Sequence, residues 1–269
     1  MNVNWRKTQM LAIEARNLSK RYGDVEAVSD LSFEVKKGEI VGFLGPNGAG
    51  KTTTMRMLTG FIPVTDGTAH IAGHEIFADP IGARRSIGYL PENPPLYPEM
   101  TVNAYLTFVA KIKDVPRATR KQAVESAADR CGLHDVAHRV IGDLSKGFRQ
   151  RVGLAGAIVH DPPVLILDEP TVGLDPIQIR EIRGLISNLA APEHGEARHT
   201  VILSTHIMNE VEAICERIIL INRGRKVVDQ PLAELVQGGQ SLEEVFARAT
   251  SRDEQGDIAV ALGAAEAPS

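Results

Sequence analysis

The chain has 269 residues, of which 43% are hydrophobic and 24% charged, and its formal net charge is −4. This is ordinary globular composition, with length for one large α/β domain or two small ones. The mild acidity offers no electrostatic footprint for nucleic acid, and no apolar run reaches the ~18 residues of a membrane-spanning helix. Cys131 and Cys215 lie far apart and read as inert thiols in a reducing compartment. Two short basic clusters, Arg149-Gln150-Arg151 and Arg223-Gly224-Arg225-Lys226, read as solvated faces.

In chain order, residues 1–10 read as an N-terminal extension. Met1 to Lys7 carry no apolar signal core, so export is not expected, and Met10 is an equally good start. Alternation over 11–15, 31–35 and 69–71 predicts short strands of an antiparallel layer. The apolar run 39–44 predicts a buried strand, and 51–58 a helix directly after it. Residues 86–90 predict another strand, ending at Pro91. From Thr101 to about Val159 the pattern is helical, over 101–112, 117–131 and 145–159, which predicts a helical insertion inside the α/β domain. Residues 164–167 and 200–204 are buried strands. Between them Ile182, Leu185, Ile186 and Leu189 share one helix face. Residues 190–199 read as a polar loop. His194 and His199 within it lack the cysteine or carboxylate spacing of a metal site. Leu242, Val245, Phe246 and Ala249 form the apolar stripe of a helix docked on the core, and residues 251–269 have the composition of a disordered tail.

Between the predicted strand 39–44 and helix 51–58 stands Gly45-Pro46-Asn47-Gly48-Ala49-Gly50-Lys51-Thr52, the pattern G-x-x-x-x-G-K-[ST] in the strand–turn–helix context that it requires. Glycines let backbone N–H groups turn toward phosphate oxygens, and the helix N-terminus adds its positive dipole end. Lys51 can reach the outer phosphates and the Thr52 hydroxyl can ligate Mg²⁺. The second chemical element is Val164-Leu165-Ile166-Leu167-Asp168-Glu169, an apolar strand ending in two carboxylates. Asp168 suits a Mg²⁺-holding role at a strand end, and Glu169 can orient and deprotonate an attacking water.

From Leu11 to Ala249 the chain resembles an ATP-binding cassette (ABC) ATPase. The segment Leu144-Ser145-Lys146-Gly147-Phe148-Arg149-Gln150-Arg151 is similar to that family's signature, usually L-S-G-G-Q. The resemblance implies an α/β fold, a P-loop NTPase of ABC type with an antiparallel β subdomain and an inserted helical subdomain. The cassette would cover residues 11–236, with the helical part at about 92–160 and a C-terminal docking helix at 237–250. It implies ATP and Mg²⁺ as ligands, with Gly45, Pro46, Asn47, Gly48, Ala49, Gly50, Lys51, Thr52 and Thr53 around the phosphates. Tyr22 matches the aromatic that stacks on adenine, and Val28 the residue beside the base. Gly173-Leu174-Asp175-Pro176 matches the D-loop and Ser204-Thr205-His206 the switch-histidine motif. Ser145 and Gly147 are then the residues that meet the γ-phosphate from a second copy.

Two motifs depart from the family pattern. Lys146 stands where Gly is usual, either adding charge near the phosphates or pointing to solvent, and Phe148 stands where Gln is usual. Glu92, in Tyr89-Leu90-Pro91-Glu92-Asn93, stands where the family offers Gln. A carboxylate there can contact Mg²⁺ or water, with Asn93 as the alternative. These variants, with Pro94-Pro95-Leu96-Tyr97-Pro98-Glu99-Met100-Thr101-Val102, the segment Leu144–Ile158 and Ser241-Leu242-Glu243-Glu244-Val245-Phe246, resemble the ATPases of ABC-2-type exporters, including drug-export and gliding-motility-like subunits. That branch implies a homodimer sandwiching ATP and a separate transmembrane subunit docked near residues 92–97. It implies a cytoplasmic location, peripheral on the inner face of the cell membrane, and no nucleic-acid partner. The alternative reading is a soluble ABC-type ATPase with a regulatory or binding role.

Overall fold

The computed structural model describes residues 11–193, 196–197, 199–237 and 240–251. The antiparallel layer begins with β1 (Leu11–Tyr22) and β2 (Val25–Lys36), paired across a two-residue turn in which Gly23 takes φ 57°. Both strands run well beyond the segments that alternation marks, because register shifts interrupt their period-two pattern. β3 (Ile40–Leu44) follows, then α1 (Lys51–Leu58), β4 (Asp66–Ile71), β5 (His74–Glu75), α2 (Pro80–Arg85) and β6 (Ile87–Leu90). The first sheet has the order β2-β1-β4-β5.

Three helices come next: α3 (Val102–Ile112), α4 (Arg120–Arg130) and α5 (Lys146–Ile158). The starts of α3 and α5 are set by Thr101, whose hydroxyl accepts from the Ala104 N–H, and Ser145, whose hydroxyl accepts from the Phe148 N–H. They pack on one another through Leu106, Val124, Ala127 and Val152. Two 3₁₀ turns, His134–Val136 and Ile141–Asp143, precede α5, and β7 (Val164–Asp168), α6 (Pro176–Ala190), β8 (Pro192–Glu193), β9 (Glu196–Ala197), β10 (Thr200–Thr205), α7 (Met208–Ile214), β11 (Arg217–Asn222), β12 (Arg225–Pro231), α8 (Leu232–Leu235) and α9 (Leu242–Ser251) follow it. The second sheet has the order β12-β11-β3-β10-β7-β6, parallel except for β12.

The continuous apolar runs of its inner strands reflect burial on both faces. On β7, Val164 and Ile166 face the core shared with α1 and the antiparallel layer, whereas Leu165 and Leu167 face the core shared with the helices. The sheet thereby brings the C-terminal ends of β3, β7 and β10 to one edge, the usual location of a ligand crevice in an open α/β sheet.

Several local expectations are corrected. The segment 190–199 holds the small β8–β9 pairing, and His199 is buried, with Nδ1 2.6 Å from the Pro162 carbonyl and Nε2 2.7 Å from the Arg130 guanidinium. His194 lies outside the described residues, as do residues 1–10 and the tail beyond 251. Arg149-Gln150-Arg151 is no solvated face. Arg149 donates to the Leu144 carbonyl at 2.7 Å, Gln150 is buried and Arg151 pairs with Glu181. The second basic cluster is solvated as expected: Arg223, Arg225 and Lys226 are exposed around the buried Gly224, with Lys226 3.0 Å from Asp229. Strands β11 and β12 are additions. Ile218 to Ile221 form a short apolar run, which periodicity alone does not separate from a buried helix segment. Both thiols are buried and pushed up to about 12 by that burial, which leaves them unreactive.

Candidate active site

β3 delivers the chain into the loop 45–50, and α1 leaves it with Gly50 as its N-cap. The glycines are demanded by close approach. A β-carbon on Gly45 would lie 2.4 Å from the Ile221 carbonyl oxygen, and one on Gly50, at φ 103°, 2.6 Å from that of Ala27. Gly48, at φ 80°, has open space beside it and faces the cleft. No side chain caps α1 and no acidic residue occupies its first turn, so its N–H groups are available to an anion. Lys51 is 6% exposed, and its Nζ donates to the carbonyls of Gly45 (2.7 Å) and Pro46 (3.2 Å). A cradle of this kind fits a polyphosphate.

Asp168 ends β7 and is 1% exposed. The Ser204 hydroxyl donates to its Oδ1 at 2.8 Å, and Thr52 hydrogen-bonds to it as well. Burial pushes the Asp168 carboxyl up from its ordinary value. The two hydroxyl bonds pull it back, and the neighbouring carboxylates of Glu169 and Glu92 push it further up. A buried carboxylate beside a hydroxyl, with two more carboxylates near, is a set of hard oxygen donors that fits a divalent cation such as Mg²⁺.

Glu169 follows in the left-handed region at φ 49°, held by its N–H bond to the Ser204 carbonyl at 2.8 Å. For a non-glycine residue that conformation stores about 1–3 kcal/mol, a strain that clusters at functional sites. Its carboxylate lies 3.5 Å from Lys51 Nζ and 3.0 Å from His206 Nδ1. Because a carboxylate only accepts, Nδ1 is the protonated nitrogen of that pair.

Asn47, Gly48, Gly50, Lys51, Thr52, Thr53, Glu92, Glu169 and His206 converge on one cleft of about 420 Å³. Tyr22, Ser145, Gly147 and Asp175 do not line it. Ser145 caps α5, and a β-carbon on Gly147 would meet the Gln178 side chain at 2.8 Å. Asp175 caps α6, accepting from Ile177 and Gln178 at 2.9 Å each. The exposed Lys146 reaches back over Gly173. Tyr22 is 49% exposed at the β1–β2 turn, with the Lys20 ammonium 5.1 Å from its ring centre.

Val28 requires a correction, since it is fully buried beneath Gly50 and presents no face to a base. The apolar surface beside Tyr22 is instead Val25, its cross-strand partner, which is 66% exposed. Sequence reasoning also missed Val172, which lines the cleft, and Gly224. The Gly224 N–H donates to Ala49 (2.9 Å) and its carbonyl accepts from Ser29 (2.9 Å), clamping the phosphate loop to β2. No local signal marks Gly224 beyond a glycine between two charged residues.

A glycine loop opening onto a helix N-terminus, with a strand-end carboxylate beside it, defines a P-loop nucleoside triphosphatase. A family model described as ABC transporter matches residues 28–172. The chain is 40% identical over 223 residues to the bacitracin transport ATP-binding protein BcrA of Bacillus licheniformis, covering 83% of this chain and 71% of that one. It is 38% identical over 232 residues to the ABC transporter ATP-binding protein YxlF of Bacillus subtilis (strain 168), covering 86% and 74%. Among solved structures, the dimeric bacterial ABC transporter cassette MJ0796 superposes with a TM-score of 0.72 at 26% identity, covering 82% of this chain and 98% of that one. The chain belongs to the ABC transporter family, as an ATP-binding cassette that hydrolyses ATP. Among the described residues, no helix is long and apolar enough to cross a membrane.

Proposed function

We propose that this chain is the ATP-hydrolysing subunit of an ABC exporter, acting as an ATP-sandwiched homodimer on a separate ABC-2-type transmembrane subunit. The observation that carries the catalytic part is the Lys51–Glu169–His206 cluster within the cleft of the phosphate loop. Lys51 and the N–H groups of residues 48–53 bind the phosphates. Glu169 holds the attacking water and takes its proton at a carboxylate oxygen, while His206 fixes that carboxylate through Nδ1. Thr52 and Asp168, with Glu92, would hold Mg²⁺, which neutralises charge on the phosphoryl oxygens when bound.

Ser145, Gly147 and Asp175 lie off this cleft, which favours their use by a second copy, where Ser145 would add a donor to the γ-phosphoryl. Tyr22 with Val25 supplies the apolar platform for the base. The exporter assignment draws on the relative whose name assigns it bacitracin transport.

The transmembrane partner would dock at an apolar groove of about 410 Å³ lined by Arg56, Phe61, Tyr89, Pro94, Pro95 and Lys113. Next in the chain, Leu96 packs partly buried against the core, and Tyr97 stacks edge-on to Phe108 at 5.5 Å. Such a subunit works at the inner face of the cell membrane. The decisive experiment measures Mg²⁺-dependent ATP hydrolysis and ATP binding by calorimetry for the wild type and Lys51→Ala. Hydrolysis by the wild type with ATP affinity lost in Lys51→Ala supports the assignment. Unchanged binding in Lys51→Ala overturns the phosphate-loop role. Stimulation of hydrolysis by the co-purified membrane protein separates the exporter from a soluble regulatory ATPase.

A further inference from the structure

Glu210 lies in the first turn of α7 and is 1% exposed. A carboxylate so buried carries a large desolvation cost unless it is hydrogen-bonded to a purpose. It does not serve its own helix end, because both oxygens are taken by other elements. One accepts the hydroxyl of Thr171, and the other accepts the hydroxyl of Thr205 at 3.0 Å. Both threonines are themselves buried. Thr171 stands two residues after Glu169, and Thr205 immediately precedes His206. The Thr205 hydroxyl also accepts from the Ile207 N–H at 3.1 Å, so the bond reaches both sides of His206.

We propose that Glu210 is a positioning residue for ATP hydrolysis, latching the loop after Glu169 to the loop carrying His206 through the Thr171 and Thr205 hydroxyls. Glu169 and His206 sit on the ends of different strands, β7 and β10, and their 3.0 Å contact depends on how those two loop ends are held. The left-handed backbone of Glu169 makes the need sharper, since a strained conformation persists only where its surroundings over-determine it. A hydrophobic residue at 210 would fill the same space at lower desolvation cost but would take the Glu210 acceptor from both hydroxyl donors. Displacement of a reacting group by about 1 Å costs up to roughly 100-fold in rate.

The inference rests on the ATPase reading, and its test keeps the two apart. Steady-state hydrolysis and ADP affinity are measured for Glu210→Ala, Thr171→Val and Thr171→Ser. Glu210→Ala and Thr171→Val are expected to lower kcat by roughly 10- to 100-fold, with KM and ADP affinity within about twofold of wild type. Thr171→Ser, which keeps the hydroxyl, restores kcat. In a His206→Ala background Glu210→Ala adds less than about twofold, because both changes act on one contact. Wild-type kcat in Thr171→Val overturns the proposal, as does a fall in ADP affinity matching the fall in kcat. If Glu210→Ala does not fold, the Thr171 pair decides. A wild-type protein without ATP hydrolysis removes the ATPase reading itself, whereas an active wild type with indifferent variants removes only the latch.

Discussion

Replacing Glu169 by Gln separates the chemistry of the cleft from its binding. The Glu169 carboxylate stands 3.5 Å from Lys51 Nζ, and both groups are nearly excluded from solvent. At an effective dielectric near 20 that separation corresponds to about 5 kcal/mol of gross attraction. Glu169→Gln releases Lys51 from this attraction and removes a negative charge from a site built for phosphates, so ATP affinity is expected to stay level or rise. The amide cannot take a proton from water, and loss of a general base lowers kcat by roughly 10²- to 10⁴-fold. Stopped-flow phosphate release gives kcat, and calorimetry with ATP and Mg²⁺ gives affinity. Hydrolysis within tenfold of wild type would refute the base assignment. ATP binding weakened more than tenfold, in a folded variant, would refute the electrostatic reasoning.

Gly50→Ala places a β-carbon 2.6 Å from the Ala27 carbonyl at φ 103°. Backbone cannot swing aside there, so ATP affinity should fall at least about tenfold with the fold retained, a loss of roughly 1.4 kcal/mol or more. Affinity equal to wild type would show that the loop tolerates the shift. His160 is pushed down to about 4, mainly by burial, with the Lys113 ammonium adding to it, and its Nδ1 has no hydrogen-bond partner. The unfolded chain binds this proton below about pH 6.5 and the folded chain does not until about pH 4, so stability is lost as pH falls through that window. Urea unfolding should show His160→Gln losing about 2 kcal/mol less than wild type between pH 7 and pH 5. Parallel pH profiles for the two proteins would contradict this.

Contiguous features of the site were legible in the sequence. The phosphate loop, the Asp168-Glu169 pair and His206 each combine a strand with the residue at its end, and parallel β3, β7 and β10 bring those ends together. The helices at 102–112, 120–130 and 146–158 were equally plain, because each repeats an apolar stripe and two carry a Thr or Ser cap. What escaped depends on contacts distant in the chain. Val25 and Val28, three positions apart, fall on opposite faces of β2, and which of them meets the core is decided by the distant Gly50 and Gly224 packed on Val28, which no local pattern shows. Gly224 and Glu210 act on residues 175 and 39 positions away, through bonds that only the folded sheet creates. The buried His199 and the Arg149–Arg151 stretch follow the same rule, since polar residues read as solvent-facing until their partners are seen.

Under the proposed function, one chain holds half of each hydrolytic site. Light scattering of Glu169→Gln with Mg²⁺ and saturating ATP tests it directly, and Ser145→Arg in the same background serves as the control. The mass is expected to double from that of the 29.1 kDa monomer with ATP, to stay at the monomer value with ADP, and to fail to double when Ser145 is replaced. A protein that binds ATP yet remains a monomer, or that dimerises equally well without the Ser145 hydroxyl, would contradict it.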